Sequence, residues 1–331
     1  MARADLLKKL FSSFNNDDRE LFIKTAYEII ADERKKNHFV LADDLEMVLN
    51  GAKKNYRNSI PTIKTFISQN PDKDARLVEF YYPDKYFDDM ILPQEIILQL
   101  EELIREFQNW DILMSNGVEP INKLLFYGPP GCGKTLCASV IAAEIGIPLM
   151  YVRYDALVSS YLGETAGNIK KVFDLAKNDS FVILFDEFDA IGRSRNDTTE
   201  HGEIKRVVNT FLQQIDNFKG RSIIIAATNF EQSLDYAIWR RFDDTIRFDL
   251  PSNQEKIKLL SLRLKQFNGP TQSFETFIGS TDAFSYADIE NICKTIMRKC
   301  ILDGRRNYNK KDIETAVKKQ KLQVSLRRSQ Y

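Results

Sequence analysis

The chain has 331 residues, enough for two domains or one large domain with attachments, and its apolar share of 43% allows a sizeable core. Its 47 basic residues balance 47 acidic ones, so it lacks the overall basic excess of most nucleic-acid binders, and nucleic acid is not an expected partner. Two histidines and four scattered cysteines (Cys132, Cys137, Cys293, Cys300) show no metal-ligand or disulfide spacing, no apolar run approaches the ~20 residues of a membrane span, and no signal peptide opens the chain; a soluble, cytoplasmic protein with reduced thiols is expected.

Along residues 1–75, Leu6, Leu7 and Leu10, then Leu21, Phe22, Ala26, Ile29 and Ile30, follow helical spacing. Val40, Leu41, Leu45, Val48 and Leu49 predict another helix, closed by the stop signal Asn50-Gly51. Pro61 and Pro71 mark a linker. This is a small helical module. Residues 76–250 alternate short apolar runs with helical patterns. The runs Lys123–Tyr127, Leu149–Val152, Phe181–Phe185, Ile223–Ala227 and Thr245–Phe248 predict a five-stranded parallel sheet with helices on both faces. Such a sheet places ligands at the carboxyl ends of its strands. Residues 251–331 read as helical throughout, from Ile257, Leu259 and Leu260 to Ile313, Ala316 and Val317, and predict an all-α lid. From Lys294 onward basic residues outnumber acidic ones, which reads as a solvated helix face.

The motifs begin where the strands end. Gly128-Pro129-Pro130-Gly131-Cys132-Gly133-Lys134-Thr135 fits the pattern G-x-x-x-x-G-K-[ST], preceded by a strand and followed, from Leu136, by a helical pattern. Glycines let successive backbone N–H groups turn toward phosphate oxygens, and the following helix directs its positive end at the same anion. Lys134 is placed to neutralise the β- and γ-phosphates of a nucleoside triphosphate, and Thr135 to ligate Mg2+. Two acids, Asp186 and Glu187, follow the strand Phe181–Phe185. They could cap a helix; beside the phosphate loop, Asp186 is placed to hold Mg2+ through its water shell and Glu187 to polarise the attacking water. Asn229 ends Ile223-Ile-Ala-Ala-Thr-Asn229 and can hydrogen-bond the γ-phosphate or that water, although Asn in this place is often turn chemistry. Arg240 and Arg241 could stabilise charge on a transferred phosphoryl group; spacing alone reads them as surface ion pairs.

Together these motifs resemble the AAA+ superfamily of P-loop NTPases, over roughly residues 87–319, and within it the AAA branch of spastin and katanin. The stretches 200–212 and 237–242 carry that finer likeness. The resemblance implies Mg2+-dependent ATP hydrolysis. It makes Asn229 a sensor residue and makes Arg240 and Arg241 fingers reaching a neighbouring subunit's nucleotide. Those roles imply a homo-oligomeric ring, usually a hexamer. It places Met90 and Ile91 in the adenine-contacting segment, which lacks the usual glycine, and Ala287 beside the nucleotide, where Tyr286 replaces a glycine. Ser160-Tyr161-Leu162-Gly163 resembles the first pore loop, whose aromatic grips an extended polypeptide; sequence alone reads Tyr161 as an ordinary half-buried tyrosine. Residues 192–202 fall where a second pore loop would sit.

The expected function is a ring-forming ATPase motor that remodels, unfolds or disassembles protein substrates. The alternative is an ATP-operated switch or scaffold acting on a separately encoded enzyme, such as a peptidase, without threading. The chain itself carries neither H-E-x-x-H nor G-x-S-x-G, so proteolysis is not expected of it.

Overall fold

A computed structural model describes residues 6, 9, 11–13, 19–35, 77–157, 162–177, 179–189, 201–234, 236–270, 274, 281 and 283–328. The chain divides into two units, Met1–Gln69 and Asn70–Tyr331. In the first, helix α1 (Arg19–Lys35) buries Thr25, Ile29 and Ile30. The helix expected at 40–49, its stop signal and the linker prolines lie outside the described residues.

In the second unit six strands form one sheet: β1 (Val78–Tyr81), β2 (Lys123–Tyr127), β3 (Leu149–Val152), β4 (Val182–Phe185), β5 (Ile223–Thr228) and β6 (Asp244–Arg247), in the order β1-β3-β4-β5-β2-β6. The five expected strands are all present and mutually parallel. The expectation of five strands is corrected by β1, which pairs antiparallel with β3 at the sheet's edge.

Side-chain alternation along each strand explains the layers. Leu124 and Phe126, Val182 and Leu184, and Ile223 and Ile225 share one face, packed with helices α2 (Gln94–Gln108) and α4 (Lys134–Ile145). Between those helices lies the short α3 (Trp110–Ser115). Phe185 points the other way, into an aromatic cluster with Phe173 and Phe211. Phe173 comes from α6 (Leu162–Leu175) and Phe211 from α7 (His201–Asn217), while α5 (Tyr154–Leu157) is a single turn after β3. Strands β4 and β5 are buried over their whole lengths, as strands covered on both faces must be.

After β5 come the single turn α8 (Tyr236–Trp239) and β6. Helices α9 (Asn253–Arg263), α10 (Tyr286–Leu302) and α11 (Lys310–Arg328) follow, with no strand among the described residues beyond Arg247. They bury a separate cluster, including Leu260, Ile292, Cys293, Ile296 and Ile313. Serine starts both α9 and α10: Ser252 caps with Glu255, and Ser285 with Asp288. No described helix is long and apolar enough to cross a membrane.

Candidate functional site

The register Phe185↔Ala226 and Tyr127↔Thr228 brings the carboxyl ends of β4, β5 and β2 side by side. Gly128, Asp186 and Asn229 therefore leave the sheet along one edge. A cavity of about 390 Å3 opens there, lined by the loop from Pro130 to Leu136, by Asp186, Glu187 and Asn229, and by Tyr286, Ala287 and Glu290 of α10. Its size falls within the ~300–1,000 Å3 of small-molecule sites.

The loop needs glycine where it has it. Gly128, Gly131 and Gly133 all have left-handed φ, at 129°, 76° and 95°. A Cβ on Gly128 would sit 2.2 Å from the Phe248 carbonyl oxygen, and one on Gly131 would sit 2.7 Å from Ser285 Oγ. Gly133 then opens α4, and Lys134 is its first residue. Lys134 is only 6% exposed, and its ammonium donates to the carbonyls of Gly128 (2.7 Å) and Pro129 (2.9 Å). Burial lowers its pKa, and the nearby Asp186 and Asp189 act against that shift. Cys132 is 1% exposed, and burial pushes its thiol up to about 11, so it stays neutral inside the loop. All four cysteines are free and buried.

Thr135 Oγ1 donates to Asp186 Oδ2 at 2.7 Å, joining α4 to the end of β4. The Glu187 N–H donates to Asp186 Oδ1 at 2.9 Å, and the Phe188 N–H to the Ala227 carbonyl at 2.8 Å, which pins this turn to β5. Glu187 is exposed and has φ 52°, the one non-glycine residue with left-handed φ among those described. Backbone strain of this kind gathers at functional sites.

These residues fit a nucleoside triphosphate and Mg2+. The three glycines leave space where Cβ atoms would stand, and a buried ammonium lies beneath. Thr135 and Asp186 offer adjacent hard oxygens, while no group of three or more acidic, His or Cys ligands occurs among the described residues. Mg2+ commonly takes one or two protein oxygens and completes its shell with phosphates and water.

The expected site residues divide by position. Asp186, Glu187, Asn229, Lys134, Thr135, Leu136, Ala287 and the loop from Pro130 to Gly133 border the cavity. Gly128 and Pro129 do not; their carbonyls hold Lys134 instead. Met90 and Ile91 do not border it either. Met90 is buried with its Cε 3.0 Å from where a Gly133 Cβ would stand, and Ile91 packs against the helical cluster. Arg240 and Arg241 lie away from the cavity: the Arg240 guanidinium sits 4.3 Å from the centre of the Tyr236 ring, and Arg241 pairs with Asp216 at 3.0 Å. Tyr161, residues 192–200 and the side chain of Leu162 lie outside the described residues.

The structure adds Asp189 and Glu290, which the motifs did not supply, and shows what surrounds Tyr286 and Ala287. Asp189, 6% exposed, accepts from Thr228 Oγ1 (3.1 Å) and from the Asn229 N–H (3.4 Å), so it sets the backbone at Asn229. Its signal was available as an acid three residues after Asp186. Tyr286 packs against both hydrophobic clusters, and its hydroxyl is buried with no hydrogen-bond partner among the described residues. Burial first, and the Glu255 carboxylate second, raise that phenol's pKa. The Ala287 N–H donates to the Gly131 carbonyl at 3.1 Å, tying α10 to the loop. Glu290 is held by Arg263 at 2.6 Å, which also donates to the Asp89 carbonyl at 3.3 Å.

Comparison with known proteins agrees with this geometry. Residues 124–250 match the ATPase family associated with various cellular activities (AAA). An AAA family ATPase of Sinorhizobium fredii is 40% identical over 319 residues, 96% of this chain and 95% of that protein. A proteasome-activating nucleotidase of Sulfurisphaera tokodaii is 32% identical over 268 residues, 77% of this chain and 68% of that one. A putative 26S proteasome regulatory subunit homologue of Methanocaldococcus jannaschii is 36% identical over 201 residues, covering 59% of this chain and 54% of its own length.

Proposed function

Because this chain belongs to the AAA family of ATPases, we propose that it assembles into a ring whose ATP turnover pulls on, or takes apart, protein substrates. The chain hydrolyses ATP to ADP and phosphate with Mg2+. When bound, Mg2+ supplies Lewis-acid stabilisation of the charge on the β- and γ-phosphate oxygens.

In this reading Lys134 exchanges its carbonyl partners for β- and γ-phosphate oxygens. Thr135 and Asp186 hold the metal side of the triphosphate. Glu187 accepts a proton from the attacking water and aims it, and Asn229 fixes that water or the γ-phosphate. Asp189 positions Asn229 through its backbone.

One observation carries the ring. Among the described residues, the charged side chains bordering the cavity are Lys134, Asp186, Glu187 and Glu290, a single cation among three acids. Phosphoryl transfer builds negative charge that a second cation commonly stabilises. Arg240 and Arg241 are exposed on another part of the surface, so they suit a neighbour's site. Tyr161 and Leu162 are proposed to grip polypeptide in the ring's pore.

The stretches 200–212 and 237–242 support the finer placement beside spastin and katanin. The names of two relatives support a second reading, a motor that feeds a separately encoded peptidase. One experiment tests the motor: ATP turnover measured with and without an unfolded polypeptide, in the native chain and in Tyr161→Ala. Stimulation that vanishes in the variant supports pulling through a pore. Turnover indifferent to polypeptide supports the switch instead, and co-purification of a peptidase supports the second reading.

A further inference from the structure

One acid bordering the cavity has no task in the chemistry above. Asp186 and Glu187 serve the metal and the attacking water. Glu290 stands apart from them, on the wall that α10 provides. A carboxylate beside a triphosphate is repelled by it unless a cation balances the charge and a hydrogen-bond donor faces the free oxygen.

The cation is present. Glu290 Oε1 accepts from Arg263 Nε at 2.9 Å and from Nη2 at 2.6 Å, and both side chains are half-buried. The same Nη2 donates to the Asp89 carbonyl at 3.3 Å, so Arg263 is itself held by the single turn Phe87–Asp89. One oxygen of Glu290 is thereby fixed. The other, Oε2, lies 3.7 Å from the Lys294 ammonium, past hydrogen-bond reach, and accepts no hydrogen bond among the described residues.

Position decides which donor that oxygen meets. Glu290 follows Tyr286 by four residues and Ala287 by three, so the three share one face of α10. The Ala287 N–H rests on the Gly131 carbonyl at 3.1 Å, which pins the start of that face to the phosphate loop. Glu290 lies roughly 4.5 Å further along the helix axis. In a nucleoside triphosphate the ribose is the first group beyond the phosphates, and the base lies further out.

We propose that Glu290 is a specificity-determining residue, whose Oε2 accepts hydrogen bonds from the 2′- and 3′-hydroxyls of the ribose. These hydroxyls are neutral donors, and a carboxylate serves a ribose hydroxyl in dinucleotide sites for the same chemical reason. A nucleotide without them leaves Oε2 unpaired and close to the phosphates. The site therefore selects ribonucleotides. This inference rests on the ATP reading of the cavity and is independent of the ring.

The test is calorimetric titration of the full chain with ADP, which binds without turnover, with 2′,3′-dideoxy-ADP and with inosine diphosphate. The native chain should bind ADP about tenfold or more tightly than the dideoxy analogue, as expected for hydrogen bonds to a charged group. Glu290→Ala should bring the two affinities within about twofold, mainly by weakening ADP, because the hydroxyls then lose their charged partner. Glu290→Gln keeps the size but offers a neutral acceptor, and its preference should fall between the other two. Equal affinity of the native chain for both nucleotides would overturn the proposal, as would an undiminished preference in Glu290→Ala. Should Glu290→Ala fail to fold, an undiminished preference in Glu290→Gln would overturn it equally. A change confined to the ratio of ADP to inosine diphosphate would show that Glu290 reads the base amino group and overturn the ribose assignment. A native chain that binds no ADP would overturn the ATP reading itself.

Discussion

The Thr135 hydroxyl donates a 2.7 Å hydrogen bond to the Asp186 carboxylate, across 51 residues of sequence. It joins the first turn of the helix after the glycine loop to the end of the neighbouring buried strand. Two oxygens that suit a hard cation thus stand together beside the buried Lys134 ammonium. The division of labour between the two acids follows: Asp186 is hydrogen-bonded on both oxygens, to Thr135 and to the Glu187 N–H, whereas Glu187 is exposed toward the cavity.

Glu187→Gln should keep nucleotide affinity and lose turnover by about 10²–10⁴-fold, the usual contribution of a general base. Glutamine preserves the size and the backbone but cannot accept the proton. Lys134→Ala should instead lose nucleotide binding, because it removes the one cation that borders the cavity among the described residues. Equilibrium titration with a fluorescent ATP analogue, set beside phosphate release, separates the two. Equal loss of affinity in both variants would contradict the assignment.

Gly128→Ala should destabilise the fold as well as the site. The left-handed φ costs about 1–3 kcal/mol for a residue with a side chain. Its Cβ would also lie 2.2 Å from the Phe248 carbonyl oxygen, on a backbone held by the Phe248 N–H to Tyr127, and crowding of this sort adds about 1–3 kcal/mol. Thermal melting without nucleotide should show a clear fall. Gly146→Ala is the control, because it shares the left-handed φ but meets nothing within 4 Å.

Acid should weaken the helical region through Asp312. The Arg305 guanidinium first, then the Lys299 ammonium and the Asn309 N–H, hold this buried carboxyl well below the usual carboxylate range. Its pKa is depressed on folding, so it contributes stability above the unfolded value of about 3.9. As pH falls below that value, the unfolded chain binds the proton first and the contribution is lost. Asp312→Asn should lower stability at pH 7 by about 1.5–3 kcal/mol, the usual worth of hydrogen bonds to a charged group, yet show a shallower decline than the native chain between pH 5 and 3. Urea unfolding across that range checks both points.

The strands and the phosphate loop were legible because burial and backbone geometry constrain them locally. Ile223–Thr228 must be apolar on both faces, and Gly128, Gly131 and Gly133 must lack side chains. Strand β1 was missed because it sits at the edge: only Val78 is fully buried, and Tyr81 is exposed, so four residues carry little periodic signal. Tyr286 and Ala287 border the cavity, where the family resemblance put them, but nothing near them in sequence announces that the Ala287 N–H binds the Gly131 carbonyl. The pairing of Arg241 with Asp216 joins residues 25 positions apart on separate elements. Met90 and Ile91 lie in the expected segment, but their side chains turn into the hydrophobic clusters instead of the cavity.

The most direct test of a shared catalytic site is a mixing measurement. Arg241→Ala copies keep Lys134, Asp186 and Glu187 but offer no Arg241; Glu187→Gln copies keep Arg241 but cannot activate water. Each alone should be nearly inactive, the arginine loss alone costing about 10³-fold or more. Combined in equal amounts, they should regain ATP turnover at junctions where an intact site meets an intact arginine. Turnover in the mixture no greater than the sum of the two separate variants would contradict donation between neighbours.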